Sequence, residues 1–158
     1  MRKRRAVDLI RDKSWFEDGF NNWDDKLFKK HFRIRRDTFN FLLTSIEDNI
    51  RKKPTSMKPN PTSPECQLAL TIYRLAHGSS NTALEDLFGQ SKENCCVIFN
   101  KVCRVLVMKL YDQYVKLPET DAEWERELQG VLKNYEFPCI GAWDGFHVEV
   151  SSNLKHHH

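Results

Sequence analysis

The amino-acid sequence predicts a mainly α protein: a helical bundle with a helix-turn-helix, followed by the first strand of an α/β domain. Three observations predict it. Apolar residues recur at helical spacing, most clearly at Phe39, Leu42, Leu43, Ile46 and Ile50. Side chains suited to capping a helix stand just ahead of such runs: Ser63 before Pro64, then Ser91, then Thr120 with Glu123 three residues on. From Cys139 to Val150 the apolar period shortens to two, the mark of a strand.

Residues 1–23 form a basic and aromatic leading segment. Arg2, Lys3, Arg4 and Arg5 read as a frayed basic tail, with nuclear import or phosphate contact as the alternative. Trp15, Phe16, Phe20, Trp23, Phe28 and Phe32 alternate with charges and read as core anchors rather than base-stacking platforms. Leu27, Phe28 and Phe32 suit one helix face. The helical region spans 24–136. Its clearest helix runs over 37–51, with Asp37 as the expected N-cap and Arg51, Lys52 and Lys53 at the end that favours cations. Pro54, Pro59, Pro61 and Pro64 make 54–64 a loop and the best internal boundary.

Ser63 and Pro64 open a second helix over 65–78, broadly apolar at Leu68, Leu70, Ile72, Tyr73, Leu75 and Ala76, with Gly78 placed to end it. Residues of about 80–114 read as a short helix, a tight turn and a long helix, the layout of a helix-turn-helix. Thr82 and Glu85 have capping-box spacing, Gly89 and Gln90 make the turn, and Ser91 caps a helix whose buried stripe is Ile98, Val102, Val105, Leu106 and Leu110. Thr120 and Glu123 then start a helix with its buried face at Trp124, Leu128, Val131 and Leu132. Residues 137–158 begin the α/β domain.

The net charge of +3 hides a gradient. Residues 1–58 hold 16 Lys/Arg against 9 Asp/Glu, whereas residues 111–158 hold 4 against 9, so the front of the chain is the part suited to a polyanion. No stretch approaches the roughly 18 apolar residues of a membrane-spanning helix, so a membrane partner is not expected. No apolar run follows the basic N-terminus, so it is not a secretory signal. The five cysteines are accordingly expected as reduced thiols. Cys95, Cys96, Cys103 and Cys139 lack a C-x₂-C pair and read as core residues rather than zinc ligands.

Two constellations carry chemistry. At the start of the second helix of the helix-turn-helix, Lys92 and Asn94 are of the types that read guanine or phosphate and adenine, and Gln90 and Ser91 suit phosphate. Glu93 among them would repel a nucleic-acid backbone. Lys52 and Lys53 add phosphate contacts after the preceding helix. In the strand, Asp144 shares a face with Ile140, Ala142, Phe146, Val148 and Val150, opposite Trp143, His147 and Glu149. An acid in an apolar face is costly unless paired or bound to metal.

A strand-borne Asp facing inward is the way RNase H-like polynucleotide transferases present their first metal ligand. Ile140-Gly141-Ala142-Trp143-Asp144-Gly145-Phe146-His147 resembles the I-G-A-x-D-G-x-H strand of PIF/Harbinger transposases and their domesticated nucleases. His31-Phe32-Arg33-Ile34 with Phe39 and Leu42-Leu43 is similar to the family's F-R-x…F…L-L helix. Leu68-Ala69-Leu70-Thr71-Ile72, Leu75-Ala76-x-Gly78 and Leu87-Phe88-x-x-Ser91 resemble its helix-turn-helix region, and Lys116-Leu117-Pro118 ahead of Trp124 also fits.

The resemblance implies a DDE-type endonuclease or transposase, usually nuclear. It implies a divalent cofactor, Mg²⁺ or Mn²⁺, DNA as the partner and a Myb-like DNA-binding partner protein. Asp144 takes the place of the first acidic metal ligand, and His147 has no assigned role. The family's second Asp and its Glu lie downstream of this strand, and Glu136 and Glu149 do not stand in equivalent positions. Two-metal chemistry needs several carboxylates. The expectation is therefore an incomplete RNase H-like domain that binds metal weakly and cuts nothing by itself. The rival expectation, from a different class, is a stand-alone helix-turn-helix DNA-binding module without catalysis.

Overall fold

The computed structural model describes residues 14–56 and 59–141. Seven helices account for most of them: α1 (Ser14–Asn22), α2 (Asp25–Phe32), α3 (Arg36–Ile50), α4 (Pro64–His77), α5 (Asn81–Phe88), α6 (Lys92–Tyr114) and α7 (Asp121–Tyr135). The mainly helical class expected from the sequence is the class observed. The expected strand falls largely on residues 142–150, outside the described residues, and the described residues 139–141 form no strand.

The chain divides into two compact units, Met1–Val115 and Lys116–His158. The proline-rich loop, expected as a boundary, lies inside the first unit, and α7 belongs to the second. The loop's far end is tied into the core of the first unit, because Thr62 is buried and its backbone carbonyl accepts from Gln67 Nε2 at 2.8 Å.

The first unit is organised around α4, which packs on α2, α3, α5 and α6. Residues Cys66 to Ile72 are buried without a break, so α4 has no solvent face over two turns. Its start is the one expected: Ser63 caps it, its side chain accepting from the Cys66 amide at 3.2 Å, with Pro64 next. Gly78 ends it in the left-handed region (φ 62°), which a residue without a Cβ adopts free of strain. Leu75, expected in the buried face, is instead exposed.

The apolar stripe of α3 supplies Phe39, Ile46 and Ile50 to the core. Its N-cap is Arg35, not Asp37, and no side chain caps it, so Asp37 contributes only its charge near the positive end of the helix. The adjacent Arg36 secures this end. Its guanidinium donates to the Trp23 carbonyl at 2.8 Å, lies 4.3 Å from the centre of the Phe28 ring and pairs with Asp25 at 3.5 Å.

The aromatics of 15–32 are core anchors, as expected. Phe28 and Phe32 of α2 are buried while Leu27 faces out. Phe20 contacts Phe16, Phe28, Phe32 and Phe39, and Trp15 and Phe16 both reach Phe88 of α5. The Trp23 indole lies so close over Gly19 that any Cβ there would collide with the ring. Trp23 in turn stacks on His31, whose imidazole titrates below its ordinary range because burial disfavours the cation, helped by Lys30 and His77 nearby.

In the second unit α7 opens with the expected capping box. Thr120 Oγ1 accepts from the Glu123 amide, and Glu123 Oε2 accepts from the Glu119 and Thr120 amides at 2.9 and 3.2 Å. The expected buried face does not form. Trp124, Leu128 and Val131 are half-buried and Leu132 is exposed, α7 being the one helix among the described residues of this unit. Its described partners are Lys116–Pro118 and Ile140–Gly141, which with Glu123, Trp124, Arg126 and Glu127 line a cavity of about 590 Å³.

Phe28→Ala is expected to cost about 3–5 kcal/mol, since it empties a fully buried site between α2 and α3; urea unfolding measures it. The two backbone donors hold the Glu123 carboxyl below its ordinary range, so its contribution to the start of α7 is present above the usual carboxylate pKa. That contribution is lost as pH falls through the depressed folded value. Amide exchange at Thr120 should rise, relative to its intrinsic rate, over that acid interval and be flat in Glu123→Gln.

Candidate nucleic-acid interface

Residues of about 80–114, expected as a helix-turn-helix, form α5, a turn at Gly89–Gln90, and α6, with α4, α5 and α6 packed pairwise on one another. The cap of α5 is Ser80, whose side chain accepts from the Ala83 amide at 3.3 Å, so Thr82, expected there, lies inside the helix. Leu84 and Phe88 bury one side of α5. Gly89 turns the chain in the left-handed region (φ 60°), where a side chain is strained. Ser91 then caps α6 as expected, accepting from the Asn94 amide at 3.2 Å. Cys95, Ile98 and Val102 anchor α6 to the core.

The residues singled out from the sequence do not form one outward surface. Gln90, expected to meet phosphate, is buried. Its Oε1 accepts from Thr62 Oγ1 at 2.9 Å and from Asn94 Nδ2 at 2.7 Å, and its Nε2 donates to the Phe88 carbonyl at 3.3 Å. Gln90 is therefore a strut that holds the turn against the proline-rich loop, and its amide faces inward rather than towards a phosphate. Asn94 is half-buried, with its amide spent on Gln90, so it is not free to read adenine in this conformation. The Ser91 hydroxyl is engaged in the cap.

Lys92 is exposed at the start of α6, beside exposed Glu93. The outward face continues through Cys96, Val97, Asn100 and Arg104. Lys52 is half-buried and Lys53 exposed, just past the end of α3. That end is tied to α6: the Ile50 carbonyl accepts from Lys101 Nζ at 3.2 Å and from Gln67 Nε2 at 3.3 Å. Lys101, which went unremarked in the sequence, thus acts as a long-range cap, and only its partner 51 residues away reveals the role. The same holds for Arg74, which lies 4.3 Å from the Phe99 ring centre and donates to Asn81 Oδ1 at 2.7 Å. On α6, burial pushes the Cys103 thiol up, with Arg74 opposing.

Asp144, the expected metal ligand, lies outside the described residues. Among the described residues no group of three or more His, Cys, Asp or Glu side chains converges to hold a metal ion. The described cysteines, Cys66, Cys95, Cys96, Cys103 and Cys139, are free thiols. No described helix is long and apolar enough to cross a membrane. No protein-family model, curated protein or solved structure matches the chain.

Gln90→Ala leaves the Thr62 hydroxyl and the Asn94 amide without their acceptor. It is expected to lower the unfolding free energy by about 1–3 kcal/mol, read by chemical denaturation.

Proposed function

We propose that this chain is the DNA-engaging helical region of a Harbinger-like DDE nuclease or transposase, together with its first catalytic strand. The observation that carries the reading is the arrangement of α4, α5 and α6, packed pairwise, with a glycine turn and a serine cap leading into the longest helix. A helix-turn-helix uses a turn and cap of this kind to present the start of its second helix to a major groove, which supports the reading. Lys92 is the outward cation at that start, and Lys53 follows α3.

In this reading Asp144 is the first acidic ligand for Mg²⁺ or Mn²⁺. The metal would clamp the attacking and leaving oxygens of a phosphodiester once further carboxylates join it. One carboxylate does not suffice, so the 158 residues by themselves are expected to bind DNA without cutting it. A nuclear setting and a Myb-like DNA-binding partner belong to the same proposal. A second reading, a stand-alone DNA-binding module without catalysis, is favoured by the position of Gln90 and Asn94. With their amides turned inward, few groups are left at the turn for base readout beyond phosphate contact.

Fluorescence anisotropy with a short DNA duplex tests both. Binding should weaken steeply between about 50 and 200 mM salt. Lys92→Gln and Lys53→Gln should each weaken it on all sequences alike. Absence of binding at low salt overturns both readings. Asp144-dependent cleavage by these 158 residues with Mg²⁺ or Mn²⁺ overturns the expected inactivity.

A further inference from the structure

The outer face of α2 is a cationic surface that neither the fold nor the helix-turn-helix accounts for. Lys26, Lys29 and Lys30 stand at i, i+3 and i+4, one face of the helix, opposite the buried Phe28 and Phe32, and Arg33 follows as the C-cap in the left-handed region (φ 60°). The three lysines span roughly 6 Å along the axis. Arg35 follows at the start of α3. All five are exposed, and no side chain among them makes a hydrogen bond or ion pair with a described residue.

Two of the three acids nearby are already committed. Asp24 caps α2 by accepting from the Leu27 amide at 2.7 Å, and Asp25 pairs with Arg36. Between α2 and α3 a cleft of about 290 Å³ is lined by Lys26, Lys29, Arg35 and Arg36, with Asp25 and Asp37 the acidic members.

Folding gains little from this arrangement. Like charges three and four residues apart repel and weaken a helix. The helix dipole favours Lys29 and Lys30 in the last turn but disfavours Lys26 in the first. Five exposed cations unpaired among the described residues, with Asp24 and Asp25 withdrawn and Asp37 the one acid left beside them, suit an anionic partner.

We infer that this face of α2, with Arg35, is a phosphate-binding surface for duplex nucleic acid, separate from the start of α6. The spacing suits a phosphate backbone, which carries one charge per about 3.4 Å of axis on each strand. A lipid surface fits less well, because an interfacial helix lays apolar side chains beside its cations. Here the phenylalanines of α2 point into the core. The surface holds the duplex by charge and carries no sequence preference. The inference rests on the DNA-binding reading above and names a second contact for it.

The test compares the full 158-residue chain with a Lys26→Gln, Lys29→Gln, Lys30→Gln variant and its Lys→Arg counterpart, by anisotropy on duplex DNA across a salt series. Helicity measured by circular dichroism should be unchanged in both. Loss of three phosphate contacts should lower the slope of log affinity against log salt by about 2.7. The loss should be equal on unrelated sequences and restored by the arginine variant. If the wild-type chain binds DNA and the glutamine variant keeps its slope while Lys92→Gln lowers it, the α2 inference falls and the helix-turn-helix reading stands. If the wild-type chain binds no duplex at low salt, both fall. If vesicles of anionic phospholipid bind the chain more tightly than duplex and compete it away, the surface is a membrane contact and the inference is overturned.

Discussion

Continuous burial of α4 is the constraint on which the first unit depends. A helix apolar all round cannot rest on one neighbour, and α2, α3, α5 and α6 each take a side. Their amphipathic stripes follow from that role: Phe28 and Phe32 on α2, Ile46 and Ile50 on α3, Leu84 and Phe88 on α5, Ile98 and Val102 on α6. Within α4 sit two buried polar residues, and the structure spends backbone carbonyls on both. Thr71 Oγ1 donates to the Gln67 carbonyl, and Gln67 Nε2 donates to the carbonyls of Ile50 and Thr62. The end of α3 and the end of the proline-rich loop are thereby pinned to the same side chain.

This pinning reaches the candidate interface. Thr62 gives its carbonyl to Gln67 and its hydroxyl to Gln90, and Gln90 holds Asn94. One chain of hydrogen bonds runs from the middle of α4 through the loop to the first turn of α6. The turn that sets the approach of α6 is therefore shaped by the core, and its polar residues serve geometry before recognition. Buried networks of this kind fix a single arrangement best when their members are satisfied; the Gln90 amide is, whereas the buried Gln67 Oε1 has no hydrogen-bond partner among the described residues.

Features decided locally were legible in the sequence. The stripe of α3, the Ser63–Pro64 start of α4, the Ser91 cap and the Thr120–Glu123 box depend on residues within a few positions, and each forms as expected. Features decided by distant partners were not. Arg36 tethers the start of α3 through Trp23 and Phe28, a role that residue spacing does not encode. Thr82 had capping-box spacing, but the chain enters α5 two residues earlier, where Ser80 does the capping. Gln90 read as a polar turn residue on the surface until Thr62, 28 residues away, claimed it. The face of α2 was half legible: the aromatics drew attention, and the lysines between them follow the same helical period on the other side.

The meeting of α1 with α5 has a consequence for how the chain is made. Phe20 finds Phe28, Phe32 and Phe39 close by in sequence, but Trp15 and Phe16 also meet Phe88, so the packing of the first described helix is complete only once residues more than 70 positions later exist. At ribosomal speeds of about 5–20 residues per second, that interval lasts roughly 4–15 s. A nine-residue helix does not persist by itself in water. During synthesis Trp15 and Phe16 therefore wait for the last of their partners. Of the described helices α1 is translated first, yet its contact with α5 is among the later ones to form.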